Sequence, residues 1–266
     1  VPFFNELSIF FQKNYLNRHV HLAICSFLFT ASTYHSAEKS IHWAYSIWTG
    51  AAVFFVYSYP LSSEIFLRPT LLMYRDSRRP AILLLLLSVA AVILMGNNLS
   101  AMLLLGFSSL LTLLYFRNAG FLRQPLKTNR ILKPLTIALS YTLVCFMVPC
   151  LSIVSELTEL ARLALPKICL IAAVALISDH EDAQSAHSHP KIGYFSVVSA
   201  ILALATLADM ANKAAGFLSH PAFIASQATY FLSWILLLLT YKARGRMFYS
   251  FFVDGILALP FLFSFG

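Results

Sequence analysis

Asp179, Glu181 and Asp182 lie within four residues of one another, in the stretch Ala175-Leu-Ile-Ser-Asp-His-Glu-Asp-Ala-Gln-Ser-Ala-His-Ser-His-Pro-Lys191. His180, His187 and His189 share that stretch, so three of eleven acidic residues and three of eight histidines fall into seventeen positions. Asp179 and Asp182 are three apart and would share one face if the preceding helix continues. Imidazole and carboxylate together suit a transition metal, although the order H-E-D-x₄-H-S-H matches no metal signature. A structural cap, an ion pair with the arginines of residues 61–79, or a solvated loop between two spans are the alternatives. The knot follows directly on the apolar run Ile168–Ile177. Ionisable groups at the edge of a membrane segment are costly unless they face water, a partner or a ligand. The stretch therefore reads as a polar site at a membrane–water boundary.

The elements that must position this knot are apolar over nearly the whole chain. Of 266 residues, 59% are hydrophobic, 23 are Phe and only 11% are charged, against about 25% charged in soluble domains. A bilayer core about 30 Å thick takes a helix of about 20 residues. The expectation is one all-α domain over residues 1–266, a polytopic integral membrane protein. Residues 1–18 read as an interfacial lead-in, with Phe3, Phe4, Phe10 and Phe11 against Glu6, Lys13 and Arg18. Nine spans are expected, near 19–34, 43–59, 80–95, 99–116, 134–154, 163–178, 192–210, 221–241 and 248–265. Pro60 stops the second. Pro149 should kink the fifth, with neighbouring helices re-satisfying the freed backbone.

Charge placement orients the bundle. With the amino terminus inside, fifteen Lys and Arg fall on the inner side and four, Lys39, Arg162, Lys167 and Lys213, on the outer. That asymmetry follows the positive-inside rule and puts residues 179–182 in the cytoplasm, on the same side as Arg68, Arg75, Arg78 and Arg79. The basic loops are too short and too regularly spaced for a nucleic-acid groove. Cys25, Cys145, Cys150 and Cys169 lie in apolar segments without a C-x-x-C pair and read as buried packing residues. Asp209 and Lys213, four apart, are expected to pair along one helix face. His19, His21, His35 and His42, in or beside the first two spans, are open either to haem or pigment contact or to ordinary interfacial hydrogen bonds. No P-loop, dinucleotide-binding glycine pattern, H-E-x-x-H or G-x-S-x-G occurs.

Three stretches, set on this layout, resemble the UbiA-type intramembrane prenyltransferases. Leu176-Ile-Ser-Asp-His-Glu-Asp182 is similar to the second Asp-rich motif of that superfamily, D-I-R-D-x-x-x-D, with the central Asp on Asp179. Arg123-Gln-Pro-Leu-Lys127 resembles the polar approach to its helix five. Phe248-Tyr-Ser-Phe-Phe-Val-Asp-Gly255 resembles a D-G ending of divergent bacterial relatives. The resemblance implies a UbiA-like bundle in a cell inner membrane. Inner loops after spans two and six would hold Mg²⁺ through carboxylates, and basic residues would grip a diphosphate. On this sequence the metal set would be Asp179, Asp182, Glu181 and Glu64. Arg123, Lys127, Arg130, Arg78 and Arg79 would bind diphosphate or lipid headgroups, topological anchoring being the alternative.

The chain departs from the pattern where the metal should sit. Near the first motif, N-D-x-x-D, only Glu64 is acidic, and Asp76 stands twelve residues on among arginines. In the second, Leu176 replaces the leading Asp, Ser178 the Arg and Ala183 the trailing Asp. The expected function is therefore a non-catalytic accessory or structural subunit of a membrane complex, in contact with membrane lipids and binding an isoprenoid, quinone, pigment or lipid. The alternative is a magnesium-dependent prenyltransferase moving an isoprenoid from its diphosphate to a lipophilic acceptor.

Overall fold

The computed structural model describes residues 20–36, 40–58, 86–94, 96, 98–116, 126–129, 131–151, 154, 156–185, 192–216, 218–240 and 248–263. Among these no strand occurs. Helices α1 (Val20–Ser36), α2 (Trp43–Ser58) and α3 (Leu99–Phe116) lead, with residues 86–94 helical between α2 and α3. Next come α4 (Leu132–Cys150), α5 (Leu157–Ser185), α6 (Ile192–Ala214) and α7 (His220–Leu239). A C-terminal segment follows, wide-turned over Phe248–Val253 and α-helical over Leu259–Phe263. Four stretches are long and apolar enough to cross a membrane: Leu132–Cys150, Leu157–Asp179, Gly193–Ala214 and His220–Leu239. They mark the chain as a helical membrane protein. The apolar stretches within α1, α3 and the C-terminal segment are shorter.

Neighbours in sequence are neighbours in space. α1 packs on α2, α3 on α4, α4 on α5, α5 on α6 and α6 on α7, and the C-terminal segment lies against both α1 and α7. α1 and α2 meet closely because Gly50 has no side chain: a Cβ there would lie 2.9 Å from the Ala23 carbonyl oxygen and 3.3 Å from Phe27 Cβ. Small residues let membrane helices approach to such distances, where van der Waals contact drives association. Beside this contact Thr30 Oγ1 and Thr49 Oγ1 are 3.0 Å apart.

The two prolines inside long helices are handled by neighbours. In α4 the chain widens to a π turn over Leu143–Met147, just ahead of Pro149. Proline has no N–H to give, so carbonyls behind it need other donors. Tyr45 Oη donates to the Val144 carbonyl at 2.8 Å and Thr33 Oγ1 to the Cys145 carbonyl at 3.3 Å. The expected disturbance at Pro149 is thus a π turn re-satisfied from α1 and α2. In α5, Pro166 removes the donor for the Arg162 carbonyl, and Asn212 Nδ2 of α6 supplies one at 3.2 Å. Bonds of this kind are how a broken helix survives away from water.

Candidate functional site

Asp179 lies on α5 six residues before its end, and Lys133 is the second residue of α4. The packing of α4 on α5 brings Lys133 Nζ to 2.5 Å from Asp179 Oδ1, both side chains being about a quarter exposed. One residue earlier, Ser178 Oγ donates to Asp254 Oδ1 at 3.2 Å. Asp254 follows the π-helical turn of the C-terminal segment, so three distant parts of the chain meet at one end of the bundle. Tyr57, at the end of α2, lies close enough to feel the charges of both Asp254 and Asp179, and Tyr115, at the end of α3, those of Lys133 and Asp179. Tyr194 Oη caps the Leu176 carbonyl at 3.1 Å and ties α6 to the same end.

The Asp254 turn is itself held from α1. His21 Nε2 lies 3.0 Å from the Phe251 carbonyl oxygen, which can only accept, so Nε2 carries the proton. The imidazole stacks on the Phe251 ring at 5.0 Å, and a Cβ on Gly255 would stand 3.5 Å from Nε2. That nitrogen is therefore engaged by the fold. His42 accepts the Tyr45 backbone N–H on Nδ1 at 3.1 Å, which caps the start of α2. His21 and His42 thus each make a hydrogen bond within the described bundle.

Above Tyr57 and Tyr115 runs a cavity of about 610 Å³ between α2, residues 86–94, α3 and α4. Binding sites for lipophilic small molecules fall at about 300–1,000 Å³. Met102, Leu105, Gly106, Ser109, Thr112 and Leu113 line it from α3 at three- and four-residue intervals, one face of a helix. From Trp48 to Tyr57 the α2 wall rises nine residue steps, about 14 Å at 1.5 Å per residue. The wall is apolar with scattered hydroxyls, several of them, such as Thr112, Thr136 and Ser140, bonded to carbonyls of their own helix.

A second polar cluster lies at the other end of α5. Asp209 of α6 is 1% exposed; Tyr230 Oη donates to its Oδ2 at 2.6 Å, and Lys167 Nζ lies 3.5 Å from the same oxygen. Lys167 also donates to Ser226 Oγ at 2.9 Å and stands 5.9 Å from the Tyr230 ring centre. The expected Asp209–Lys213 pair is corrected here. Lys213 Nζ turns to the Leu218 carbonyl at 3.1 Å, because the helix-to-helix partner at Lys167 is reached without leaving the packed interface. A cavity of only about 40 Å³ adjoins this cluster.

Of the residues expected to bind metal, the structure places Asp179. Asp182 and Glu181 lie on the last turn and a half of α5, but their side chains are outside the described residues, as is Glu64 altogether. Among the expected headgroup ligands, Arg78, Arg79, Arg123 and Arg130 also lie outside them, and Lys127 is described only in its backbone, in the short turn Leu126–Thr128. His187 and His189, residues 1–18 and residues 61–79 fall outside as well. Asp254 and Lys133 are what the site-residue reading omitted. The signal for Asp254 was the D-G ending. For Lys133 it was its place at the end of the basic run Arg117–Lys133, indistinguishable from a topological anchor.

Asp179 is the one expected magnesium ligand whose side chain is described. Mg²⁺ takes near-octahedral oxygen ligands at about 2.0–2.1 Å, and on Asp179 Oδ1 an ammonium already stands at 2.5 Å. Among the described residues no three Asp, Glu, His or Cys side chains gather to hold a metal. The chain matches no family model, no curated protein and no solved structure.

Proposed function

We propose that this is a polytopic membrane protein of about nine crossings on a UbiA-like plan, lying in a cell inner membrane and serving as a non-catalytic subunit that holds a lipophilic molecule. The observation that carries the reading is the Lys133–Asp179 ion pair at the foot of the 610 Å³ cavity. The carboxylate best placed by the motif to bind a metal is neutralised by a cation from the next helix. Electrostatic help for a departing diphosphate comes from positive charge aimed at the leaving oxygens, and a lysine bound to aspartate supplies little of it. The cavity above remains suited to an isoprenoid, quinone, pigment or other lipid chain.

A magnesium-dependent prenyltransferase is the second reading. In its favour, Asp179 and Asp254 approach the same inner end through the neighbouring residue Ser178. The test is purified protein with Mg²⁺ and a labelled prenyl diphosphate. Metal-dependent diphosphate release that Asp179→Asn abolishes would establish the enzyme and sink the subunit reading. Its absence, with partner proteins retained through mild detergent purification, is the expected result.

A further inference from the structure

We propose that the small cavity beside Lys167 and Asp209 is a water-filled proton-exchange site inside the bundle, a role that does not depend on the lipid-holding one. Lys167 stands ten residues into the membrane-length stretch Leu157–Asp179, about 15 Å along the helix. Ionisable side chains at such depth are costly; they face one another or a water-filled cavity, and they mark ion pathways and proton relays. Ser32 and Thr33 of α1, Lys167 of α5, Asp209 of α6 and Ser226 of α7 line the cavity, together with Leu218 of the α6–α7 turn. It lies toward the end of the bundle where α6 gives way to α7.

Hydrogen bonding within the pair selects the occupant. Tyr230 Oη and Lys167 Nζ both approach Asp209 Oδ2, at 2.6 and 3.5 Å, which leaves Oδ1 of a carboxylate 1% exposed to accept from the cavity. Lys167 serves Asp209 Oδ2 and Ser226 Oγ, and an ammonium has a third N–H to give. One open acceptor and one open donor in the same small space suit a molecule that does both. A cation there would face the ammonium, and an anion the carboxylate; water has neither penalty. The volume of about 40 Å³ accommodates about three waters at roughly 10–15 Å³ each. Water at Oδ1 provides the exchange: a hydronium in the cavity hands its proton to Oδ1, forming the carboxyl O–H and leaving a water, and the reverse step returns it. Among the described residues, the titratable groups about the pair are Tyr230 of α7, Cys169 of α5 within reach of Tyr230, and Cys150 of α4 within reach of Lys167. Lys213 of α6 stands on the Leu218 carbonyl. α1 contributes the Ser32 and Thr33 hydroxyls, and the C-terminal segment Pro260.

Infrared difference spectroscopy tests this on the full-length protein in phosphatidylcholine vesicles, acidified through the range in which its melting temperature holds. The expected result is a protonated-carboxyl C=O band that moves to lower frequency in D₂O and is missing from Asp209→Asn. Should that variant not fold, Lys167→Met/Asp209→Asn, which removes both charges, serves as the reference. Ala222→Val and Ala225→Val fill the cavity from its α7 wall, and neither alanine is a partner of Lys167 or Asp209. In these variants the band should take up deuterium at least tenfold more slowly than in wild type. Wild-type spectra indistinguishable from those of the reference would make the pair a static tie between helices and overturn the proposal. Deuterium uptake as fast in both filling variants as in wild type would place the water elsewhere and overturn it as well. So would a lowered melting temperature in both filling variants, because packing would then already occupy the space.

Discussion

Asn212 and Pro166 allow a sharp test of how this bundle tolerates a broken helix. Pro166 interrupts α5 and leaves the Arg162 carbonyl without its donor four residues on; Asn212 Nδ2 replaces it from α6 at 3.2 Å. Asn212 is 4% exposed, so water has little access to take over if the amide is removed. Interhelical hydrogen bonds in membranes average only about 0.6 kcal/mol, with a maximum near 1.7, but an acceptor left unsatisfied costs about 1–3 kcal/mol. Because proline has already removed the alternative donor, Asn212→Leu should fall at the upper end of the first range, about 1.5 kcal/mol. At about 2–4 °C per kcal/mol for a chain of this size, thermal unfolding in detergent should drop by roughly 3–6 °C. In a Pro166→Ala background the backbone N–H at position 166 returns and bonds to Arg162, so the same Asn212→Leu change should cost under about 0.5 kcal/mol. The double-mutant cycle isolates that difference. Equal losses in both backgrounds would show that Asn212 acts by packing and that the carbonyl account is wrong.

Other perturbations follow from the same geometry. Gly50→Ala places a Cβ 2.9 Å from a backbone oxygen of α1 and should destabilise by about 1–3 kcal/mol through forced separation of the helices, whereas Gly106→Ala should be neutral or stabilise by up to about 1 kcal/mol; comparative melting checks both. Asp209→Leu leaves the largely buried Lys167 ammonium without its carboxylate and should cost about 3–5 kcal/mol, while Lys167→Met combined with Asp209→Leu should recover much of it, read as the yield of monodisperse protein and its melting point. Lys133→Met removes the ammonium from a carboxylate that is about a quarter exposed, so the stability loss should stay near 1 kcal/mol; isothermal titration with Mg²⁺ should then show binding stronger than in wild type, and an unchanged titration would mean that Lys133 is not what keeps Asp179 from cations.

Much of the helical plan was legible because hydrophobic runs of membrane length carry their own signal, and the backbone in lipid has few alternatives to a helix. The spans expected near 43–59, 99–116 and 221–241 coincide with α2, α3 and α7 to within two residues at either end. The partners of the charged groups were not legible. Asp209 looked toward Lys213 because an i,i+4 neighbour is all that one helix can offer, and Lys167 wins only once α5 and α6 are packed face to face. In the same way, the acidic knot announced a polar site at a helix end, but nothing in the order of residues said that Asp179 would be met by Lys133 across α4. Sequence alone determined that carboxylates, histidines and basic groups would gather at the ends of apolar helices. Tertiary packing decided which charges neutralise one another and that a long empty space lies beside them, since pairing and volume both depend on distances between segments far apart along the chain.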